Sequence, residues 1–226
     1  MARTVNPAAY AARRDALLDA AQRLIDTKGY AQVSVQELAQ EAGVSQGAFY
    51  HYFDSRPAML EALIERTSDQ LRAHLSTAVE EPGLSAMERL QRFLNALAGW
   101  KLARRDLLVA MLQYWYSDDN AVVRQKLRPR LTKRIAPLLA QIVRAGVDEG
   151  VFPVRHPDQT GHVLVCMIQD LNDALGDVFL SGGTADTVEE IIAAHTDAVE
   201  RVLGAPAGSL TLVDPAALLK WFAEEP

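Results

Sequence analysis

The chain has 226 residues, of which 49% are hydrophobic and 23% charged, enough apolar material for one large folded domain or two small ones. A net charge of -6 excludes a nucleic-acid binder that relies on bulk charge, and the single cysteine, Cys166, excludes an intramolecular disulfide or a cysteine-based zinc cluster. Residues 1–7 lack the apolar stretch of a signal peptide, and the apolar run at 163–168 is too short to span a bilayer, so a soluble cytoplasmic protein without membrane association is expected.

Helical period dominates along the chain and strand alternation is nearly absent. Asn6 is a good N-cap and Pro7 suits a first helical position, where its missing N–H is not needed. Leu17, Leu18, Ala21, Leu24 and Ile25 then give the helix one apolar face, and Gly29 stops it. Ser34 and Glu37 form an S-x-x-E capping box for a short second helix ending near Ala42 and Gly43. Ser45 caps a third helix to about Phe53. A long fourth helix opens around Pro57 and runs to about Glu80, where Pro82 and Gly83 end it. Further helices are predicted over 85–103, 105–116, 119–150, 157–180 and 186–203, with a tail from Ala205 that ends in a short helix after Pro215. The expected fold class is all-α: a helix-turn-helix domain over 1–56, a helical ligand-binding and dimerisation domain over 57–204, and a C-terminal tail over 205–226.

Residues 35–54 form one unit. Two short helices meet around Gly43, whose residue type supplies the positive φ of a tight turn, and Ala39 is small where the second helix must cross closely. Leu38, Ala42, Val44, Phe49 and Tyr52 fall on the inner face of such a pair. This is helix-turn-helix spacing, which points the third helix at a major groove. Residues 1–56 hold six bases and six acids, so the segment is neutral, but no acid lies between Glu41 and Asp54. The outward candidates are Ser45, Gln46, Gly47, Tyr50 and His51. Gln46 can hydrogen-bond a base edge, and Gly47 lets the backbone approach one. Tyr50, His51 and Arg56 suit phosphate oxygens, which set register rather than sequence. The Ser34 hydroxyl, or the N–H groups behind it, suit another phosphate, and Arg3, Arg13 and Arg14 add charge from the N-terminal arm. Two short helices around a glycine are also common as plain packing, so spacing alone leaves that reading open.

Residues 13–65 resemble the DNA-binding domain of TetR-family repressors almost without gaps. The most specific parts are the Gly29-Tyr30 turn, Ser34-Val35-x-x-Leu38-Ala39, Ala42-Gly43-Val44-Ser45, and Gly47-Ala48-Phe49-Tyr50-x-Tyr52-Phe53. The resemblance implies that the third helix, Ala48 included, meets DNA, and that Arg56 stands where the family usually has a phosphate-binding lysine. Ser34 replaces a common threonine and Pro57 a frequent glutamate. Neither departure conflicts with the fold.

The resemblance also implies an all-helical body that binds an unknown small-molecule effector and forms a homodimer through its last two long helices. Leu164, Met167, Ile168, Leu171, Leu175 and Val178 make one apolar stripe there. Val188, Ile191, Ile192, His195, Val199 and Val202 make another, and periodicity cannot assign either to core or interface. Trp100, Met111, Tyr114 and Trp115, with Phe93, Met87 and Tyr116, lie in the helices that line the effector pocket in relatives. Gln113, Tyr114 and Asn95 offer polar handles, and Met167 joins the ligand set. The alternative for all of these is core packing. Asp170, Asp173 and Asp177 share a face with Cys166. Turned inward, that face would favour a cationic ligand, whereas a solvated acidic face is the plainer reading. The basic run Arg124, Lys126, Arg128, Arg130, Lys133 and Arg134 is likewise expected to be a solvated face.

No G-x-G-x-x-G, P-loop or H-E-x-x-H motif occurs, and no two of the five histidines stand four apart, so neither an enzyme, a cofactor nor a metal site is expected. The function these features imply is a repressor that binds a palindromic double-stranded DNA operator as a dimer and is released by its effector. The alternatives are an activator built on the same module, or a regulator controlled by a protein partner.

Overall fold

The computed structural model describes residues 7–105, 108–109, 112 and 121–214, with backbone alone over 121–127. Eight α-helices and no strand occur among the described residues: α1 (Pro7–Lys28), α2 (Val35–Glu41), α3 (Gln46–Tyr52), α4 (Arg56–Val79), α5 (Ala86–Leu102), α6 (Ala121–Asp148), α7 (Pro157–Ser181) and α8 (Ala185–Leu203). The predicted helix at 105–116 falls mostly outside the described residues, as does the short helix after Pro215. The chain groups into two compact units. One is drawn from Met1–Thr67 and Asp106–Leu127, the other from Ser68–Arg105 and Arg128–Pro226. The boundary thus falls inside α4 rather than at its start.

In the first unit, α1 through the first half of α4 enclose a core of Leu17, Leu18, Ile25, Tyr30, Leu38, Phe49, Phe53, Met59 and Leu63. Ala42, Val44 and Tyr52 pack half-buried against it, as the inner-face reading requires. The Ser34–Glu37 capping box forms in full. Glu37 N–H donates to Ser34 Oγ at 3.2 Å, and Ser34 N–H donates to Glu37 Oε2 at 2.9 Å. Gly43 takes φ 65° and lets Val44 N–H return to Ala39 O at 2.9 Å, which turns the chain sharply into α3.

In the second unit, α6 and α7 cross at contact distance at Gly161, where an added Cβ would lie 2.5 Å from the Ala140 nitrogen. The turn after α6 folds Phe152 onto Gly146, and the Glu149 carboxylate accepts from Ala86 N–H at the start of α5. Residues 205–214 belong to this unit rather than trailing from it. Leu210 and Leu212 are buried, and Thr211 exchanges two hydrogen bonds of 2.9 Å with the Gln91 side chain. Glu200 is only 4% exposed because its carboxylate accepts from the N–H groups of Gly208 and Leu210, both at 2.9 Å. Apolar periodicity alone left Glu200 off the inner face; the backbone donors of the following turn bring it in.

Candidate nucleic-acid interface and body recess

Helix α3 is built to expose one face. The Ser45 side chain caps it, accepting from Ala48 N–H at 3.1 Å, and Phe49 is fully buried beneath. Ser45, Gln46, Gly47, Tyr50 and His51 are therefore brought together on the outer side, all exposed, with Ala48 half-buried at the edge. Tyr50 is 51% exposed, its ring edge-on to Phe49 at 5.4 Å. Among the described residues nothing needs a glycine at 47: a Cβ there meets only Ser45 Oγ, at 4.0 Å, and the residue is already helical. A helical glycine costs up to about 1 kcal/mol relative to alanine, and no packing contact among the described residues offsets that cost.

Gly43-Val44-Ser45-Gln46-Gly47 also spells the G-x-S-x-G spacing of a hydrolase nucleophile turn. That turn needs a strand ahead of the serine. Here α2 precedes it, and the Ser45 hydroxyl is a helix cap.

Two expected phosphate contacts are partly committed inside the fold. Ser34 Oγ donates to Glu37 Oε2 at 2.7 Å. Lys28 and the Ser34 contacts hold the Glu37 carboxyl down to about pKa 2, so a negative charge already occupies the start of α2. Arg56 Nη1 donates to Val33 O at 2.7 Å, and its guanidinium lies 4.4 Å from the Tyr30 ring centroid. Several other N-terminal bases are similarly engaged. Arg23 pairs with Glu41, Lys28 with Glu37 and Arg66 with Asp19, while Arg14 stands over Phe53. Arg13 is exposed, and Arg3 lies outside the described residues.

Tyr10 is a member of this site that helical periodicity does not reveal. Its ring packs on His51 and Tyr52, with centroids 5.8 and 4.8 Å away, so α1 steadies the last turn of α3. The only signal in the sequence is one large aromatic standing among alanines at the start of α1.

The second unit carries an open recess of about 400 Å³. Gln70 and His74 line it from α4, and Ala96, Gly99 and Trp100 from α5, with Ala103 and Arg104 just beyond that helix. Trp100, 6% exposed, is thus the expected ligand residue that the structure places at a concavity, with the Arg104 guanidinium 4.3 Å above its ring. Met111, Gln113, Tyr114, Trp115 and Tyr116 lie outside the described residues. Met167 is half-buried on α7. Asp170 is exposed and stands 3.1 Å from His195 Nε2 on α8, and Asp173 pairs with Arg128 at 2.5 Å. Two of the three aspartates of the acidic face, Asp170 and Asp173, thus meet basic side chains of the same unit, and Asp177 is exposed. Of the basic run, Arg128 turns to α7 and Arg134 to Asp69 at 2.8 Å, so those two are not simply solvated. Lys101 lies between α5 and α7 with its ammonium on Asn172, and burial pushes its pKa down to about 8. Among the described residues, no group of His, Cys, Asp and Glu is placed to hold a metal ion, and no helix is long and apolar enough to cross a membrane.

A family model described as bacterial regulatory proteins, tetR family, matches residues 17–63, and one described as the tetracyclin repressor-like C-terminal domain matches residues 110–178. A nucleoid occlusion factor SlmA from Marinomonas sp. is 26% identical over 161 residues, 70% of this chain and 79% of that protein. The HTH-type transcriptional regulator EthR from Mycolicibacterium smegmatis is 38% identical over 88 residues, but these span only 37% of this chain and 41% of that protein. Among solved structures, a putative transcriptional regulator of the TetR family from Vibrio parahaemolyticus superposes with a TM-score of 0.54 at 26% identity, covering 82% of this chain and 97% of that one.

Proposed function

Because the chain belongs to the TetR family of DNA-binding transcriptional regulators, which are not enzymes, we propose that it is a repressor that grips a palindromic operator as a homodimer and lets go when a small molecule enters its helical body. The observation that carries the DNA half of this reading is the outer face of α3: five exposed positions, no acid, and a glycine that the protein itself does not require. Gln46 reads a base edge, Gly47 admits the groove wall, and Tyr50 and His51 meet phosphates. Ser45 and Ala48 border that contact, and the N–H groups at the start of α2 behind Ser34 add to it. Arg56 contributes through its remaining N–H groups while Nη1 holds the turn before α2.

Geometry and surface support dimerisation. One small module binds weakly, whereas two modules about 34–36 Å apart fit successive major-groove faces of a palindrome. On α7 and α8, Val163, Leu180 and Val202 are exposed, and Met167, Ile168, Leu175, Ile191 and Ile192 are only half-buried in the single chain. That is apolar surface of the kind a partner subunit covers. Release is a population shift. A ligand that favours one position of α4, the helix that begins in the first unit and ends in the second, changes the spacing of the two reading helices. The protein is expected to act in the cytoplasm, where the operator is.

The test is selection of bound sites from a random double-stranded library with the full chain at low salt. A palindrome with half-site centres one helical turn apart is expected. Gln46→Ala should then relax preference at one base position of each half-site, and Tyr50→Ala should weaken all sequences alike. No enriched sequence at low salt would sink the reading. Activation rather than repression, or control by a protein partner, is separated by transcription assays on the selected site with and without added ligands.

A further inference from the structure

Glycine in a helix interior needs a reason, and in the second unit the reasons differ. Gly161 is required by the close crossing of Ala140 on α6, and Gly146 by the Phe152 ring. Gly99 has no such neighbour. It is exposed, and a Cβ built there meets nothing within 4 Å among the described residues. Its position is the wall of the recess, where Ala96 and Ala103 keep the same side of the chain low. The small residues hold space open rather than fit a protein surface.

Charge is distributed just as selectively. The chain carries -6 overall, yet among the described residues no carboxylate lines this recess. Other arginines of the same unit find acids: Arg92 with Glu81, Arg128 with Asp173, Arg134 with Asp69 and Arg144 with Asp158. Arg104 does not. Its contacts among the described residues are the Trp100 ring and, at 3.5 Å, the Trp100 carbonyl oxygen. Stacking fixes the guanidinium plane and leaves N–H edges for a planar acceptor, which is the geometry that a carboxylate fills in bidentate fashion. Gln70 and His74 add polar groups on the facing wall.

We propose that this recess binds a small organic monoanion with a flat apolar body, its carboxylate on Arg104 and its ring system along Gly99 and Ala103. The proposal rests on the reading of the body as the effector domain and gives that effector a chemical class. It is opposite in charge to the cationic ligand that the acidic face of α7 would favour only if turned inward.

Isothermal titration of the full chain with 2-naphthoate and with its neutral isostere 2-naphthamide tests it. The carboxylate should bind at least about tenfold tighter than the amide. Arg104→Gln should erase that preference, and Arg92→Gln, which changes net charge equally outside the recess, should keep it. Gly99→Leu, which leaves every charge in place, should weaken both probes by filling the space. Melting curves confirm that each variant is folded. Equal affinity for the two probes, binding of neither, or a preference that survives Arg104→Gln overturns the proposal. Operator affinity is measured separately with 2-naphthoate present. Preferential binding with no loss of operator affinity upholds the anion site and counts against the effector reading.

Discussion

The Arg56 guanidinium lies 4.4 Å from the centroid of the Tyr30 ring while its Nη1 donates to Val33 O at 2.7 Å. This ties the start of α4 to the turn that leads into α2, so a residue expected to touch DNA also holds the reading unit together. Lysine would keep the charge but lose the stacked, planar donor. Arg56→Lys is expected to destabilise folding by about 1–2 kcal/mol in urea melts while leaving the salt dependence of DNA binding nearly unchanged. A variant as stable as the parent would show that the contact carries no weight in the fold.

Gly47→Ala separates fold from recognition. The added methyl meets nothing in the protein nearer than 4.0 Å and relieves a helical glycine, so stability should hold or rise by up to about 1 kcal/mol. Operator affinity should fall, because the methyl projects where the groove wall must come. Thermal melts and fluorescence anisotropy on one preparation decide the matter, and undiminished affinity would remove Gly47 from the interface.

The capping box makes an acid-sensitive limb. Lys28 first, and then Ser34, hold the folded Glu37 carboxyl at about 2, below its ordinary 4.5. The folded state thus binds fewer protons than the unfolded one between those values. The contribution is fully present above about pH 4.5 and is lost as pH falls toward 2. Glu37→Gln should flatten that part of the stability curve, and an unchanged slope would mean the box does not hold in solution.

Lys101 gives a limb on the other side. Burial lowers its folded pKa from 10.5 to about 8, so the cost of the desolvated ammonium is fully felt below pH 8 and is relieved as pH rises toward 10.5. Urea melts of the parent and Lys101→Met at pH 7 and pH 10 should show the parent gaining stability relative to the variant. Parallel behaviour of the two would contradict a desolvated amine.

Two glycine substitutions in one unit should act in opposite directions. Gly161→Ala drives a methyl to within 2.5 Å of the Ala140 backbone and should cost about 1–3 kcal/mol through overpacking. Gly99→Ala enters open space and should stabilise by about 0.5–1 kcal/mol. Calorimetric midpoints of the pair, measured under one condition, check both.

Local signals were legible in the sequence because they act over three or four residues. The Ser34–Glu37 box, the Ser45 cap, the sharp turn at Gly43 and the periods of α1 and α3 all appear where expected. Contacts between distant segments were not. Nothing within a helical turn of Arg56 announces Val33 as its partner, Tyr10 meets His51 across 41 positions, and Glu200 is buried by donors that lie beyond its own helix. The recess was half legible. Trp100 stood out by size, but the features that shape it are the absence of a side chain at Gly99 and, among the described residues, the absence of an acid lining it near Arg104, and absences have no period.

Among the described side chains of the N-terminal unit most cations are occupied: Arg23, Lys28 and Arg66 by carboxylates, Arg56 by a carbonyl and a ring. Each phosphate neutralised adds about -0.9 to the slope of log affinity on log salt, so few free cations mean a shallow slope and feeble attachment to arbitrary sequence. In a cell, where chromosomal DNA offers vastly more wrong sites than right ones, such a protein is lost less to the genome at large. On the proposed reading, fewer copies would then keep one operator filled, and a modest pool of ligand would empty it.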